Sequence, residues 1–314
     1  MPACVGEKWS TYESHQLFYD PHSRTLVKHV AYMPFGAVRV RREGIVMGDG
    51  EEFLRVSVDA AGVPHVAGAA AGKPGNLGAA WEQARISGMA TGHPQILGAT
   101  EPPAEDDPEA AFGAFRIVRQ KNRYGSEYTV IAEGPKIYPL PQSDLATWQA
   151  ARPDDVRGYL HPDQAEMNEE VGPHQWVGGN LWFGKTFYNA EGATGVDGFG
   201  YFDTVSRTYK LYAPPEILRW SVSAILVEPD AVWLALYRRG EYGNYPGGLL
   251  RWDRQTAHVR QFAMDQIGVA MARIGGVVSV GAMDGLVVMR GDELASYLVD
   301  RSADGQWEMA ARNR

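Results

Sequence analysis

Three consecutive stretches in the second half of this chain repeat one another, and a repeat constrains the architecture before any single residue does. The first reads Asn180-Leu181-Trp182-Phe183-Gly184, a loop, Gly198-Phe199-Gly200-Tyr201-Phe202-Asp203, a turn, and Tyr209-Lys210-Leu211-Tyr212. The second reads Val232-Trp233-Leu234-Ala235, a loop, Gly248-Leu249-Leu250-Arg251-Trp252-Asp253, a turn, and His258-Val259-Arg260-Gln261-Phe262. The third reads Val277-Val278-Ser279-Val280-Gly281, Gly285-Leu286-Val287-Val288-Met289, a turn, and Leu294-Ala295-Ser296-Tyr297. Their central glycines, Gly198, Gly248 and Gly285, are spaced 50 and 37 residues apart. The difference falls in the loop before that glycine, where insertions cost least. Apolar runs at 223–227 and 267–271 precede the second and third units, giving each four short strand signals. Four strands of this length recurring every ~40–50 residues are what a β-propeller blade needs.

The aspartates that end the third strand signal have a mechanical reading. A short carboxylate bonds backbone N–H groups two residues on, so Asp203 and Asp253 are expected to nucleate tight turns. An N-terminal unit fits more loosely, with strand signals at 37–40, 44–48 and 53–59. Two hairpin-like fragments, 15–29 and 296–311, then stand without mates at the two ends. Pairing them in one shared blade, with Phe18, Leu298 and Trp307 buried together, would close a ring and remove its exposed edges. The expectation is an all-β chain of 314 residues: one propeller of about six blades, with five or seven also open.

The blades Leu181-Trp182-Phe183-Gly184…Gly200-Tyr201-Phe202-Asp203 and Val232-Trp233-Leu234-Ala235…Gly247-Gly248-Leu249-Leu250-Arg251-Trp252-Asp253 resemble those of regulator-type propellers. Virginiamycin B lyase-like blades are similar. The resemblance covers residues 180–297 well and about 35 more loosely. It implies a bacterial extracytoplasmic sensor or binding module. The His and Glu set of the lyase is not visible, since residues 176–297 hold only His258, at a hairpin turn.

Composition narrows the partners. The net charge is −8 with no basic block, which disfavours nucleic acid, because phosphate backbones need clustered Lys and Arg. No stretch reaches the ~18 apolar residues of a membrane span, and the start lacks a basic-then-apolar leader. Cys4 is the only cysteine, so neither a disulfide framework nor a cysteine metal cage is available. It reads as an incidental terminal thiol, the alternative being the lipid-carrying first residue of a periplasmic or extracellular lipoprotein. A cytoplasmic location fits the low cysteine use equally.

Two stretches break the repeat and read as irregular insertions, 68–113 and 143–175. Within the first, Leu77, Trp81 and Ala84 have helical spacing and residues 101–109 form an acidic Pro-rich loop; after it a hairpin returns at 115–119 and 127–131. Within the second, Ser143-Asp144-Leu145 begins like a capped helix.

No catalytic motif is recognisable. Residues 68–74 superficially resemble a phosphate loop, but the spacing is short by one and Pro74 replaces the needed hydroxyl. The densest ligand-capable stretch holds His161, Asp163, Glu166, Glu170 and His174. These could converge on a divalent cation, although Glu166, Glu169 and Glu170 also read as a solvated face. Residues 189–198 offer oxygen donors that would suit calcium, with a Gly-rich inter-strand loop the simpler reading. Arg290-Gly291-Asp292 coincides with a hairpin turn. The inserted loop 237–246 is the strongest binding candidate, through Arg238, Arg239, Glu241, Tyr242, Asn244 and Tyr245, because Tyr and Arg dominate recognition hot spots. Two functions follow. The favoured one is a monomeric scaffold that binds a glycan, peptide or envelope protein on one face. The other is a lyase or hydrolase acting in a central funnel.

Overall fold

The computed structural model describes residues 15–20, 25–30, 37–41, 44–48, 52–71, 113–121, 127–152, 167, 169–187, 195–240, 243–282, 285–301 and 307–312. Among them, antiparallel strands account for nearly all regular structure. A lone hairpin comes first, β1 (His15–Asp20) with β2 (Thr25–Val30). A four-stranded sheet follows, of β3 (Ala37–Arg41), β4 (Gly44–Gly48), β5 (Glu52–Val58) and β6 (Pro64–Ala71). The next has three strands, β7 (Phe115–Lys121), β8 (Glu127–Glu133) and β9 (Lys136–Tyr138). Helix α1 (Leu145–Ala151) separates it from the repeated units, and Asp144 caps that helix by accepting from the Thr147 N–H at 2.7 Å.

The first repeat unit is the sheet β10 (Glu170–Val177), β11 (Asn180–Thr186), β12 (Phe199–Asp203) and β13 (Thr208–Tyr212). The second is β14 (Ser221–Val227), β15 (Ala231–Gly240), β16 (Gly243–Asp253) and β17 (Val259–Phe262). The third has five strands, β18 (Gly268–Ile274), β19 (Val277–Ala282), β20 (Gly285–Arg290), β21 (Glu293–Arg301) and β22 (Trp307–Ala311). In every sheet the strands lie side by side in chain order.

From β7–β9 to β18–β22 the sheets pack face to face in succession. Alternate residues of one strand serve two different interfaces, as the period of two in a strand requires. Leu181 and Phe183 of β11 pack with Phe115, Ile131 and Tyr138 of the preceding sheet, while Trp182 between them packs with Val232, Leu234 and Trp252 of the next. Trp233 and Ala235 of β15 face Val278, Val280 and Met289. Leu286 and Val288 of β20 face the other way, onto Val56 and Val58 of β5. The last sheet therefore packs against the four-stranded sheet near the start of the chain.

That contact corrects the closure expected from the sequence. The two terminal hairpins do not share a blade: β1 and β2 form a sheet of their own, and β21–β22 extends β18–β20. Leu298 pairs with Gly285 and Ala310. The physical reason is that fragment 296–311 already has a mate, since β21 is the fourth strand of its own sheet. Residues 143–175, read as irregular, supply α1 and part of β10. The helix expected around 77–84, the acidic loop 101–109 and Cys4 lie outside the described residues.

The central glycine of each unit has one explanation. A Cβ on Gly198 or Gly248 would lie 2.7 or 2.5 Å from the carbonyl oxygen of Tyr212 or Phe262, and one on Gly285 would meet that of Tyr297 closer still. The fourth strand thus lies against the third where a side chain would stand. Gly198→Ala and Gly285→Ala should each cost about 1–3 kcal/mol in urea unfolding, as overpacked sites do.

The turn aspartates behave as expected. Asp203 accepts from the N–H groups of Val205 and Ser206 at 2.8 and 3.0 Å, and Asp253 from those of Gln255 and Thr256 at 3.1 and 2.8 Å. The bond from Ser206 on Asp203, and from Thr256 on Asp253, is the main influence holding each carboxyl below the usual value. A carboxyl lowered on folding stabilises above its unfolded pKa of about 3.9, and the gain is lost as pH falls through the folded value. Asp203→Ala and Asp253→Ala should each lower the melting temperature at pH 7 by about 2 °C. The gap from the parent protein should close as scans are repeated toward pH 2.

Candidate functional site

Chain direction alternates along each meander, so the connections sort to two ends. Tight turns such as 178–179 and 204–207 lie at one end. The loops between second and third strands, and the connectors between sheets, lie at the other, called here the loop end. The 237–246 hairpin and the start of β10 both fall at the loop end. His161, Asp163, Glu166, Glu241 and Tyr242 lie outside the described residues.

The two described members of the candidate metal group have separate commitments. Glu170 accepts from the N–H and hydroxyl of Thr129 at 3.0 and 3.1 Å, tying β10 to β8. The Nδ1 of His174 bonds the carbonyl of Gly172 at 3.2 Å, and burial holds its imidazole below the ordinary value. Among the described residues no three His, Cys, Asp or Glu side chains gather as a metal site.

Two stretches singled out in the sequence do meet, through different residues. Glu169, wholly buried, lies next to β10, and Asp197, also wholly buried, precedes Gly198 at the end of the 189–198 loop. Lys185 of β11 reaches Glu169, its Nζ 2.6 Å from Oε2. Glu169 also accepts from Val196 N–H at 2.7 Å and Ser143 N–H at 3.1 Å, so one carboxylate joins three segments. Asp197 accepts from Gly198 N–H at 3.1 Å through Oδ1, while its buried Oδ2 has no hydrogen-bond partner among the described residues. Burial drives the Asp197 carboxyl well above its usual value, against the pull of the Lys185 charge. The lysine ammonium stands where a cation would neutralise this pair of acids. The solvated-face expectation for Glu169 does not hold, and the residue types around it do not announce the cluster. Its signal was Lys185, a charge inside the apolar run Leu181–Phe187.

Above this cluster the second unit extends outward. β15 and β16 are ten and eleven residues long and continue pairing through Arg238↔Tyr245, Arg239↔Asn244 and Gly240↔Gly243. The stretch read as a loop is thus a projecting hairpin. A register shift at Leu236/Tyr237 leaves Gly247 unpaired, and there the indole of Trp220 lies so close that a Cβ would be 2.6 Å from it. The Arg238 guanidinium carbon is 5.8 Å from the Trp220 ring centre and 5.5 Å from that of Tyr245. Both are cation–π distances. Tyr245 is 43% exposed, a large aromatic offered to solvent.

No protein-family profile and no curated protein matches this chain. Among solved structures it is similar to the extracellular domain assigned to a hybrid two-component system of B. thetaiotaomicron. That likeness has 12% identity and a TM-score of 0.39, covering 96% of this chain and 40% of the other. A second structure, described as the extracellular domain of a one-component system of the same organism, has 10% identity and a TM-score of 0.24, covering 89% of this chain and 40% of the other. The chain spans about 40% of the length of each. Likeness at this level assigns no activity.

Lys185→Met should strand the buried Glu169 carboxylate and cost about 3–5 kcal/mol, with partial recovery in the Lys185→Met/Glu169→Gln double variant. Asp197 gives a second expectation. A carboxyl raised on folding keeps its proton in the native state, so stability falls as pH rises from about 3.9 toward the folded value. Asp197→Asn should flatten that fall, measured as urea midpoints from pH 4 to 8.

Proposed function

We propose that the sheets are blades of a single β-propeller of about six blades, and that the chain is a bacterial extracytoplasmic binding or sensing scaffold. Successive meander sheets packed face to face, with the last against the first four-stranded sheet, support the propeller reading. The resemblance of blades 180–297 to those of extracytoplasmic sensors supports the location.

The observation that carries the binding role is the projecting hairpin, with Arg238 held between Trp220 and an exposed Tyr245. Such an aromatic and guanidinium surface offers large area and directed hydrogen bonds at little entropic cost. A glycan, a peptide or an envelope protein is the kind of partner it fits. The lyase or hydrolase alternative gains nothing from the best acid cluster, because Glu169, Asp197 and Lys185 are enclosed and Lys185 is paired with Glu169. The test is a glycan array probed with the intact protein, followed by titration of the retained oligosaccharide. Tyr245→Ala and Arg238→Ala should each weaken it at least about fivefold, a loss of more than ~1 kcal/mol, at unchanged melting temperature. Retention of full affinity by both variants would place recognition elsewhere.

A further inference from the structure

At the opposite, tight-turn end, a cleft of about 370 Å³ opens between the second and third repeat sheets. Its walls include Trp233, Arg251, Arg260, Phe262, Arg273 and Asp292. Strand register explains why the arginines gather. Trp233 pairs with Arg251, and Arg251 with Arg260, so the three form one cross-strand row on a single face. Like charges directly opposite on neighbouring strands repel, and Arg273 of β18 adds a third from the facing sheet. Each of the three has an acid within reach: Glu228 for Arg273, Asp230 and Asp253 for Arg251, and Asp292 for Arg260.

The three are not equally committed. Arg273 is forked onto Glu228, which also accepts from the Trp233 indole N–H at 3.0 Å. Arg251 contacts Asp230 at 2.9 Å and lies over Trp233. Arg260 lies over Phe262, its guanidinium carbon 4.8 Å from the ring centre, and touches Asp292 through a single nitrogen at 2.6 Å. Asp292 is 76% exposed and sits on the turn between β20 and β21. An exposed ion pair of this kind contributes little and exchanges readily.

We propose that this cleft binds a small organic carboxylate, and that Asp292 occupies the place of the ligand's carboxylate on Arg260. A planar guanidinium matches a carboxylate through two parallel hydrogen bonds. Arg260 makes one such contact, to the exposed Asp292. The apolar part of the ligand lies along Phe262, Val278 and Met289, which line the same cleft. This site is distinct from the loop-end hairpin and does not depend on it.

The test is ligand-observed NMR titration of the full chain with benzoate and glucuronate, beside their neutral counterparts benzyl alcohol and glucose. At least one carboxylate should bind, its neutral counterpart at least tenfold more weakly, and the preferred acid separates an aromatic from a sugar ligand. Arg260→Gln should lose at least tenfold in affinity, while Asp292→Asn, which frees Arg260 without touching the core, should gain several-fold. Failure of both acids to bind the parent and Asp292→Asn proteins would overturn the proposal. So would equal binding by Arg260→Gln, or no gain in Asp292→Asn.

Discussion

The packing of each sheet from β7–β9 to β18–β22 against the next is the constraint on which the rest of the structure depends. A strand covered on both faces must be apolar at odd and even positions alike, and β14 is buried from Ser221 through Val227. Where two sheets approach most closely, only small residues fit. A Cβ on Gly184 would strike Val222 of the next sheet, and one on Gly268 would strike Val280 and lie 3.0 Å from Ala235. The close approach of the leading strands and the continuous core between sheets are two consequences of one geometry. Any polar group buried in such a stack needs a partner inside it.

How far this was legible depended on local punctuation. The strands from 180 to 297 could be read because each unit carries a glycine that a carbonyl requires, and the first two also an aspartate that holds a turn. β10 could not. Its sequence, Glu170-Val171-Gly172-Pro173-His174-Gln175-Trp176-Val177, carries a Gly-Pro pair, and the register shifts between Val171 and His174. Glycine and proline inside a strand argue against it unless a bulge absorbs them. The stretch 237–246 was misread for a related reason. Its glycines and proline suggested a loop, but pairing continues past them because Gly247 takes up the extra residue. Ring closure was misjudged because residues near 296 were counted both as the end of one unit and as an orphan fragment.

The candidate site was half legible. Candidate recognition residues such as the half-buried Arg238 and the exposed Tyr245 announce themselves by type, because Tyr and Arg dominate recognition hot spots. Buried ion clusters do not, because their members come from distant segments and each looks ordinary alone. Glu169 sat within an acidic run, Asp197 in a Gly-rich loop and Lys185 in a strand. Only the sheet topology brings the start of β10, the end of β11 and the approach to β12 to one point.

The charge of Lys185 decides what those acids can do. Two enclosed carboxylates without a cation would invite a metal or titrate together, whereas an ammonium 2.6 Å from Glu169 supplies the counter-charge from within the chain. Glu169 spends its remaining acceptor capacity on Ser143 and Val196 N–H groups, so its role is to pin two connectors to the sheet edge. That fixation matters for the hairpin above. Trp220 ends the connector that passes Leu218, whose carbonyl faces the Asp197 N–H at 3.5 Å, and Trp220 in turn flanks Arg238. A recognition surface pays less entropy on binding when its side chains are held beforehand. The enclosed acids therefore hold the loop-end connectors in place, and in the proposed binding role contact with a partner would fall to the aromatic and guanidinium groups that the connectors and the hairpin present.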